Sequence, residues 1–346
     1  MYDINMKQHF NRRRFIRTAS TATVAYGFMS KLPTSYGSTI NQSQGRVGII
    51  GLDTSHSVAF AKALNGIEPA PGFKGYKVVA AYPKGSDDIE SSVKRIPEYT
   101  EEVRKLGVGI VGSIEDLLKK VDFVLLETND GRPHLQQAMQ VLKAGKPMFI
   151  DKPVAGSLSD VIKVYKTSES LKVPIFSSSS LRYMDSVQDV IKGKIGAVLG
   201  ADTFSPATIE KTHPDLFWYG IHGVEILFAI MGVGCKQVVR ISNSDTDIVV
   251  GTWKDGRTGT FRGTRTGTHD YGGTAFGVKG NVSLGPFKGY DNLLLQIIDF
   301  FKTGKAPVQP EDTIEIYAFM EAADESKRNG GKPVDLATVM EKADRR

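Results

Sequence analysis

The chain has 346 residues, 40% of them hydrophobic and 24% charged, which suits about two globular domains. No stretch is long and apolar enough to span a membrane. The formal net charge of +6 is concentrated at the start. Residues 1–37 hold Lys7, Arg12, Arg13, Arg14, Arg17 and Lys31 against one acid, Asp3, and the remainder carries 38 basic and 37 acidic residues. So balanced a body lacks the basic patch that nucleic acid requires. Cys235 is the single cysteine, so no intrachain disulfide can form. Its apolar neighbours suit a small packed hydrophobe.

The basic start is patterned. Arg12 and Arg13 are followed by Arg14-Phe15-Ile16-Arg17 and then by an Ala- and Thr-rich apolar run over 19–29. This resembles a twin-arginine export signal over residues 1–37 and implies a periplasmic protein. The alternative is a disordered basic arm.

From Arg46 strand and helix patterns alternate. Residues 46–50 read as a strand and 57–64 as a helix. A strand at 77–82, a helix at 97–106 and a short strand at 108–111 follow. Ser113 caps a helix reaching Lys120, with Glu115 and Asp116 in its first turn. Residues 123–127 (FVLLE) form a buried strand. Pro133 opens a helix that Gly145 ends. Residues 148–150 read as the fifth and last strand, with a helix at 158–171. This alternation predicts an α/β domain over 45–155: a doubly wound parallel sheet of the Rossmann type.

Beyond about residue 180 the pattern changes. A long helix is expected over 215–231. Strands follow at 237–242, 246–253, 259–263, 274–278 and 281–284, with a hairpin turn at Lys254-Asp255-Gly256-Arg257. Helices at 291–301 and 313–327 close the chain, and Gly330-Gly331 stops the last. An α+β domain over 156–335, built on an open and mostly antiparallel sheet, is the expectation, with the last helix packing back on the first domain.

Lys152 is the most informative residue. It stands in Asp151-Lys152-Pro153, where the fifth strand ends, and strand C-termini open into the ligand crevice of such sheets. A lysine there can hydrogen-bond a substrate hydroxyl and tune its proton transfer. A second cluster is spaced 3, 4 and 3 residues apart on the expected helix: Asp215, Trp218, His222 and Glu225 share one face. His222 suits a general base, with Glu225 as its orienter. The bland alternative is a buried histidine satisfied by that acid.

The first strand–turn–helix departs from a dinucleotide fingerprint. Gly51 is retained, but Asp53 and His56 stand where glycines belong. A carboxylate at 53 opposes a pyrophosphate, and it is placed to cap the helix and take the N–H groups a phosphate would use. Gly51, Asp53, Thr54, Ser55 and His56 form one wall of the expected cofactor crevice. Thr128, Asn129, His134 and Asp151 form the other. Strand two ends in Tyr82-Pro83-Lys84-Gly85-Ser86 without the usual ribose-binding acid, so NAD and NADP both stay open.

Lys152 in its D-K-P, His222 in G-I-H-G-V-E, Ala144-Gly145-Lys146-Pro147, and the closing Tyr317-Ala318-Phe319 … Glu321-Ala322-Ala323 … Ser326-Lys327-Arg328 together resemble the glucose-fructose oxidoreductase / inositol dehydrogenase (Gfo/Idh/MocA) family over residues 45–335. The resemblance implies NAD(P)-dependent oxidation or reduction of a sugar or polyol hydroxyl. Lys152 and His222 would be catalytic, and Lys152, Arg182, Trp218, His222 and Glu225 would face the substrate. It also implies a homo-oligomer formed through the C-terminal sheet. Asp151 replaces the family's Glu, and Trp218 stands where an acid is usual. Two alternatives remain. One is a glycosidase that retains its NAD. The other is a non-redox sugar or metal protein in which Asp53, His56, His134, Asp151, His213 and His222 converge. No metal-ligand spacing supports the last, and no metal ligands are assigned.

Overall fold

The computed structural model describes residues 45–346. The twin-arginine-like segment lies outside the described residues. The first unit runs β1 (Gly45–Ile50), α1 (Ser55–Asn65), β2 (Tyr76–Tyr82), α2 (Glu90–Lys105), β3 (Gly109–Ile110), α3 (Ile114–Leu118), β4 (Phe123–Leu126), α4 (His134–Lys143), β5 (Met148–Ile150), α5 (Leu158–Leu171) and β6 (Ile175–Ser177). All its strands pair in parallel, in the order β3-β2-β1-β4-β5-β6. The order reverses beside β1, and ligands bind at that switch point in such sheets.

Residue alternation builds the two faces. Val47, Ile49, Leu125, Phe149 and Phe176 point to one core, and Ile50, Val124, Leu126 and Ile150 to the other. The boundary expected at 155 is corrected by β6, which pairs with β5 and extends the sheet to Ser177. Three residues, Ile-Phe-Ser, are too few for a period to show in the sequence.

The second unit begins with α6 (Asp185–Ile191) and β7 (Val198–Pro206), continues through α7 (Ile221–Met231), β8 (Cys235–Ser242), β9 (Thr246–Trp253), β10 (Thr258–Thr264), β11 (Gly272–Gly277) and β12 (Gly280–Leu284), and closes with α8 (Asp291–Thr303), α9 (Pro310–Arg328), β13 (Val334–Asp335) and α10 (Leu336–Asp344). Its sheet has the order β12-β11-β7-β10-β9-β8-β13. Only β7 and β10 pair in parallel. α7 and α9 cover one face. Cys235 is buried at the start of β8, and burial pushes its thiol up to about 12.

Three expectations change. α2 begins at Glu90 rather than near Pro97, which lies inside it on an exposed turn. Val93, whose carbonyl loses its N–H donor there, is itself exposed, so the proline is tolerated. The long helix starts only at Ile221, because 215–220 is a chain of turns in which Ile221 N–H reaches back to the Leu216 carbonyl. Asp215 is drawn away: its N–H donates to Asp324 and its carboxylate pairs with Arg240 (2.9 Å) and Lys327 (2.6 Å). Finally, α9 is followed by a further strand and helix. α8 also returns to the first sheet, with Phe300 against Phe176 and Phe301 stacked on Phe123 (4.6 Å between centroids).

Candidate functional site

The C-terminal ends of β1, β4 and β5 open on a cleft roofed by α7 and the β11 and β12 loops. Its volume is about 180 Å³, and Thr54, Ser55, His56, Arg95, Asn129, Lys152, Trp218, Tyr219, His222 and Tyr271 are among its walls. Thus Thr54, Ser55, His56, Asn129, Lys152, Trp218 and His222 of the expected site come together here. The fold explains why. Lys152 follows β5, Asn129 follows β4, and residues 54–56 form the first turn of α1.

Gly51 turns the chain at the end of β1 with φ +92°, and a Cβ there would stand 2.5 Å from the Thr128 backbone. Only glycine permits that crossing. Asp53, expected to cap α1, does not. Thr54 is the cap, its hydroxyl oxygen accepting from His56 N–H. Asp53 is wholly buried, with its carboxylate accepting from Asn129 N–H (3.0 Å) and Ser86 N–H (3.4 Å). It ties the β1, β2 and β4 loops together, and burial raises its pKa. Gly85 is required opposite it, because any Cβ would meet the Asp53 carboxylate.

That placement decides whether the residues fit a dinucleotide. A pyrophosphate wants a helix N-terminus and no facing carboxylate. The Asp53 carboxylate is withdrawn from the cleft, while the N-terminus of α1 and the side chain of Arg95 both line it. The residues therefore fit the group: Thr54, Ser55 and Arg95 would hold the diphosphate, with Asn129 and Lys152 beyond them. The cleft is smaller than the roughly 300–1,000 Å³ of a drug-sized pocket, so a full dinucleotide would extend outside it.

His222 is buried, and the Ser179 hydroxyl lies 2.8 Å from its Nδ1. Burial, then the positive charges of Lys152 and His56, push its pKa well below the ordinary value. Its ring is neutral at pH 7, and Nε2 remains for a ligand. Glu225, the expected orienter, is turned the other way. Arg182 Nε donates to it at 2.5 Å and the Ser178 hydroxyl at 3.0 Å. Arg182 and Glu225 thus form a buried ion pair behind the cleft rather than facing a substrate. A spacing of three places two residues on one helix side but does not set which neighbour each reaches.

Three expected cofactor contacts are also inside the protein. His134 is fully buried, packed between the β4 and β5 loops with Nε2 2.7 Å from the Thr128 carbonyl and Nδ1 3.3 Å from the Val154 carbonyl, and its one N–H in the neutral ring suits the shorter contact. Burial lowers its pKa. The Thr128 hydroxyl donates to Gln137. Asp151 is buried beside His56, 2.9 Å from its Nδ1, and the charges of His56 and Lys152 overcome burial to hold it at about 2. Of the six residues considered as a metal or sugar cluster, His213 pairs with Asp130 (3.2 Å), and only His56 and Asp151 meet.

Sequence reasoning missed Arg95, Ser179, Tyr219, Tyr271, Phe287, Tyr290 and Glu127. Glu127 carried a signal: an acid ending an otherwise apolar strand, Phe123-Val124-Leu125-Leu126. The aromatic residues come from loops with no period to read.

Residues 45–178 match the model of an oxidoreductase family with an NAD-binding Rossmann fold, GFO_IDH_MocA. Over that span the chain is similar to the NAD-binding domain of the Gfo/Idh/MocA family. It is 25% identical over 171 residues to an inositol 2-dehydrogenase of Cereibacter sphaeroides, a match covering 49% of this chain and 45% of that relative. The chain thus matches less than half the length of this curated relative. Among solved structures, scyllo-inositol dehydrogenase from Lactobacillus casei, with bound NAD(H) and scyllo-inositol, superposes with a TM-score of 0.67 at 16% identity, covering 85% of this chain and 99% of that one. Myo-inositol dehydrogenase from the same organism, with NAD(H) and myo-inositol, gives 0.66 at 17% identity over 84% and 96%. At these identities the likeness is one of fold.

Proposed function

We propose that the protein is an NAD(P)-dependent oxidoreductase acting on a hydroxyl of a sugar or polyol. The observation that carries this reading is the meeting of Lys152 and His222 on opposite walls of one cleft, beside the N-terminus of α1. They lie about seventy positions apart in sequence and belong to different sheets' surroundings. Bound nicotinamide supplies the hydride acceptor. Everything else falls to the chain. Lys152 holds the reacting hydroxyl, and His222, neutral at pH 7 and steadied by Ser179, accepts its proton at Nε2. Trp218, Tyr219 and Tyr271 offer ring faces and hydroxyl groups to a carbohydrate, and their bulk keeps the cleft narrow. The inositol dehydrogenases among the relatives favour a cyclic polyol. Incubation with NAD or NADP and a panel of inositols and sugars, followed by nicotinamide absorbance, tests this. Reduction of the nucleotide by one panel member supports it. Cleavage of a glycoside without added nucleotide points to the NAD-retaining alternative.

Two further parts belong to the same reading. Arg12 and Arg13 support twin-arginine export to the periplasm, a route that carries folded proteins and suits an enzyme loaded with cofactor in the cytoplasm. The open face of the second sheet supports a homo-oligomer. Phe204, Arg262, Ile248 and Ile241 stand in register across β7, β10, β9 and β8, and Ile241 is 66% exposed. Light scattering of the purified protein tests the second, and fractionation of the native host tests the first.

A further inference from the structure

His56, Glu127 and Asp151 meet beneath the cleft floor. His56 Nδ1 is 2.9 Å from Asp151 Oδ2 and 4.0 Å from Glu127 Oε2. One ligating atom from each residue lies within 4.8 Å of the other two. Three separate elements supply them: the first turn of α1, the residue after β4 and the residue after β5. Adjacent parallel strands fix the two carboxylates, so the arrangement is built into the sheet.

The polar accounting at this point does not close. Glu127 and Asp151 are both wholly buried; neither Glu127 oxygen has a hydrogen-bond donor, and no well-aligned donor reaches the Asp151 oxygens. His56 Nδ1 approaches Asp151 closely enough for an ion pair but out of hydrogen-bond alignment. Buried polar groups are nearly always satisfied, and a buried carboxylate without donors is costly. Asp53 adds a third buried acid to the neighbourhood, against the ammonium of Lys152 and a His56 ring that is positive only when protonated. One proton on Glu127 would satisfy one oxygen of another group and leave the rest bare. A cation placed among the three would engage all of them together.

We propose that His56, Glu127 and Asp151 form a binding site for a divalent transition-metal cation, Zn²⁺ or Mn²⁺. One imidazole nitrogen and two carboxylates are a mixed nitrogen and oxygen donor set that Zn²⁺ and Mn²⁺ both accept, whereas Ca²⁺ takes six or more oxygens. Three protein ligands leave a position for water or a cleft ligand. The site sits against the proposed cofactor crevice, with His56 in its wall, but requires no bound nucleotide. It goes beyond the redox reading and stands or falls separately.

The test uses the untagged full chain, stripped with a chelator. It is titrated calorimetrically with Zn²⁺ and with Mn²⁺, and metal in the unstripped protein is measured by plasma mass spectrometry. The expected result is one equivalent of one cation per chain, a raised Tm on binding, and at least tenfold weaker affinity in Glu127→Gln and His56→Gln. Should Glu127→Gln fail to fold, Glu127→Asp replaces it. Absence of stoichiometric binding, or binding unchanged in both variants, overturns the proposal. So does an infrared band of a protonated carboxyl group in the metal-free and metal-treated protein alike that Glu127→Gln removes. NAD titrated into the same stripped protein reports on the redox reading independently.

Discussion

The Ser179 hydroxyl lies 2.8 Å from Nδ1 of His222, and the same oxygen accepts Leu181 N–H at 3.3 Å. The hydroxyl is thereby fixed by the backbone of the turn after β6, and it fixes the imidazole in turn. Ser179 is a positioning residue for His222. Ser179→Ala is expected to lower kcat about tenfold with KM nearly unchanged, whereas His222→Ala loses the general base and roughly 10²–10⁴ in kcat. Steady-state kinetics on whichever panel member reduces the nucleotide separates the two. A Ser179→Ala effect confined to KM would contradict the positioning role.

Burial is the largest cause of the depressed His222 pKa, and the charges of Lys152 and His56 add to it. The base is therefore already neutral at pH 6.5, and the acid limb of kcat/KM lies below that value. Lys152→Met removes one of the opposing charges. The His222 ring should then titrate at higher pH than in the wild type, read by NMR of its ring protons. A titration that stays put or moves down would show that the two side chains do not sense each other.

Arg182 and Glu225 are paired at 2.5 Å, both nearly out of reach of solvent. Arg182→Met leaves a buried carboxylate without its partner and should destabilise the fold by about 3–5 kcal/mol. KM for the substrate should change little. Urea unfolding and kinetics on the same variant check both halves. A large rise in KM with unchanged stability would restore the substrate-binding role that helix spacing suggested.

As a neutral ring His134 donates one N–H, and the shorter contact places it on the Thr128 carbonyl. Its pKa is lowered by burial in the folded protein, so the unfolded chain takes up its proton first as pH falls. The stabilisation from His134 is complete above about 6.5, the ordinary histidine value, and declines below it. His134→Gln should melt lower than the wild type at pH 8, and the gap should narrow at pH 5. A gap that widens on acidification would mean that His134 is charged in the folded state.

Much of this was legible because it rests on local pattern. Phe123-Val124-Leu125-Leu126 and Met148-Phe149-Ile150 read as buried parallel strands because they are continuous apolar runs between turn residues. Lys152 and His222 were legible because a strand end and a helix face each restrict where a side chain can go. Elements held by tertiary contact were not legible. β6 is only three residues long, β13 two, and β7 (VLGADTFSP) carries a Gly, an Asp and a Pro that argue against a strand. The turns over 215–220 looked helical until Arg240 and Asp324 claimed Asp215. Partners were the least legible feature. Local spacing makes Asp53 a cap and Glu225 an orienter, yet each turns to a donor distant in sequence, Asn129 and Arg182. Periodicity places a side chain on a face, and packing chooses its neighbour.

Calorimetric titration of the purified protein with NAD and NADP tests most directly whether this cleft takes a nicotinamide dinucleotide despite Asp53. Saturable binding of one of them at one site per chain, weakened by Arg95→Ala, is the predicted result. No binding of either nucleotide, together with none released when protein purified from the native host is denatured, would contradict it.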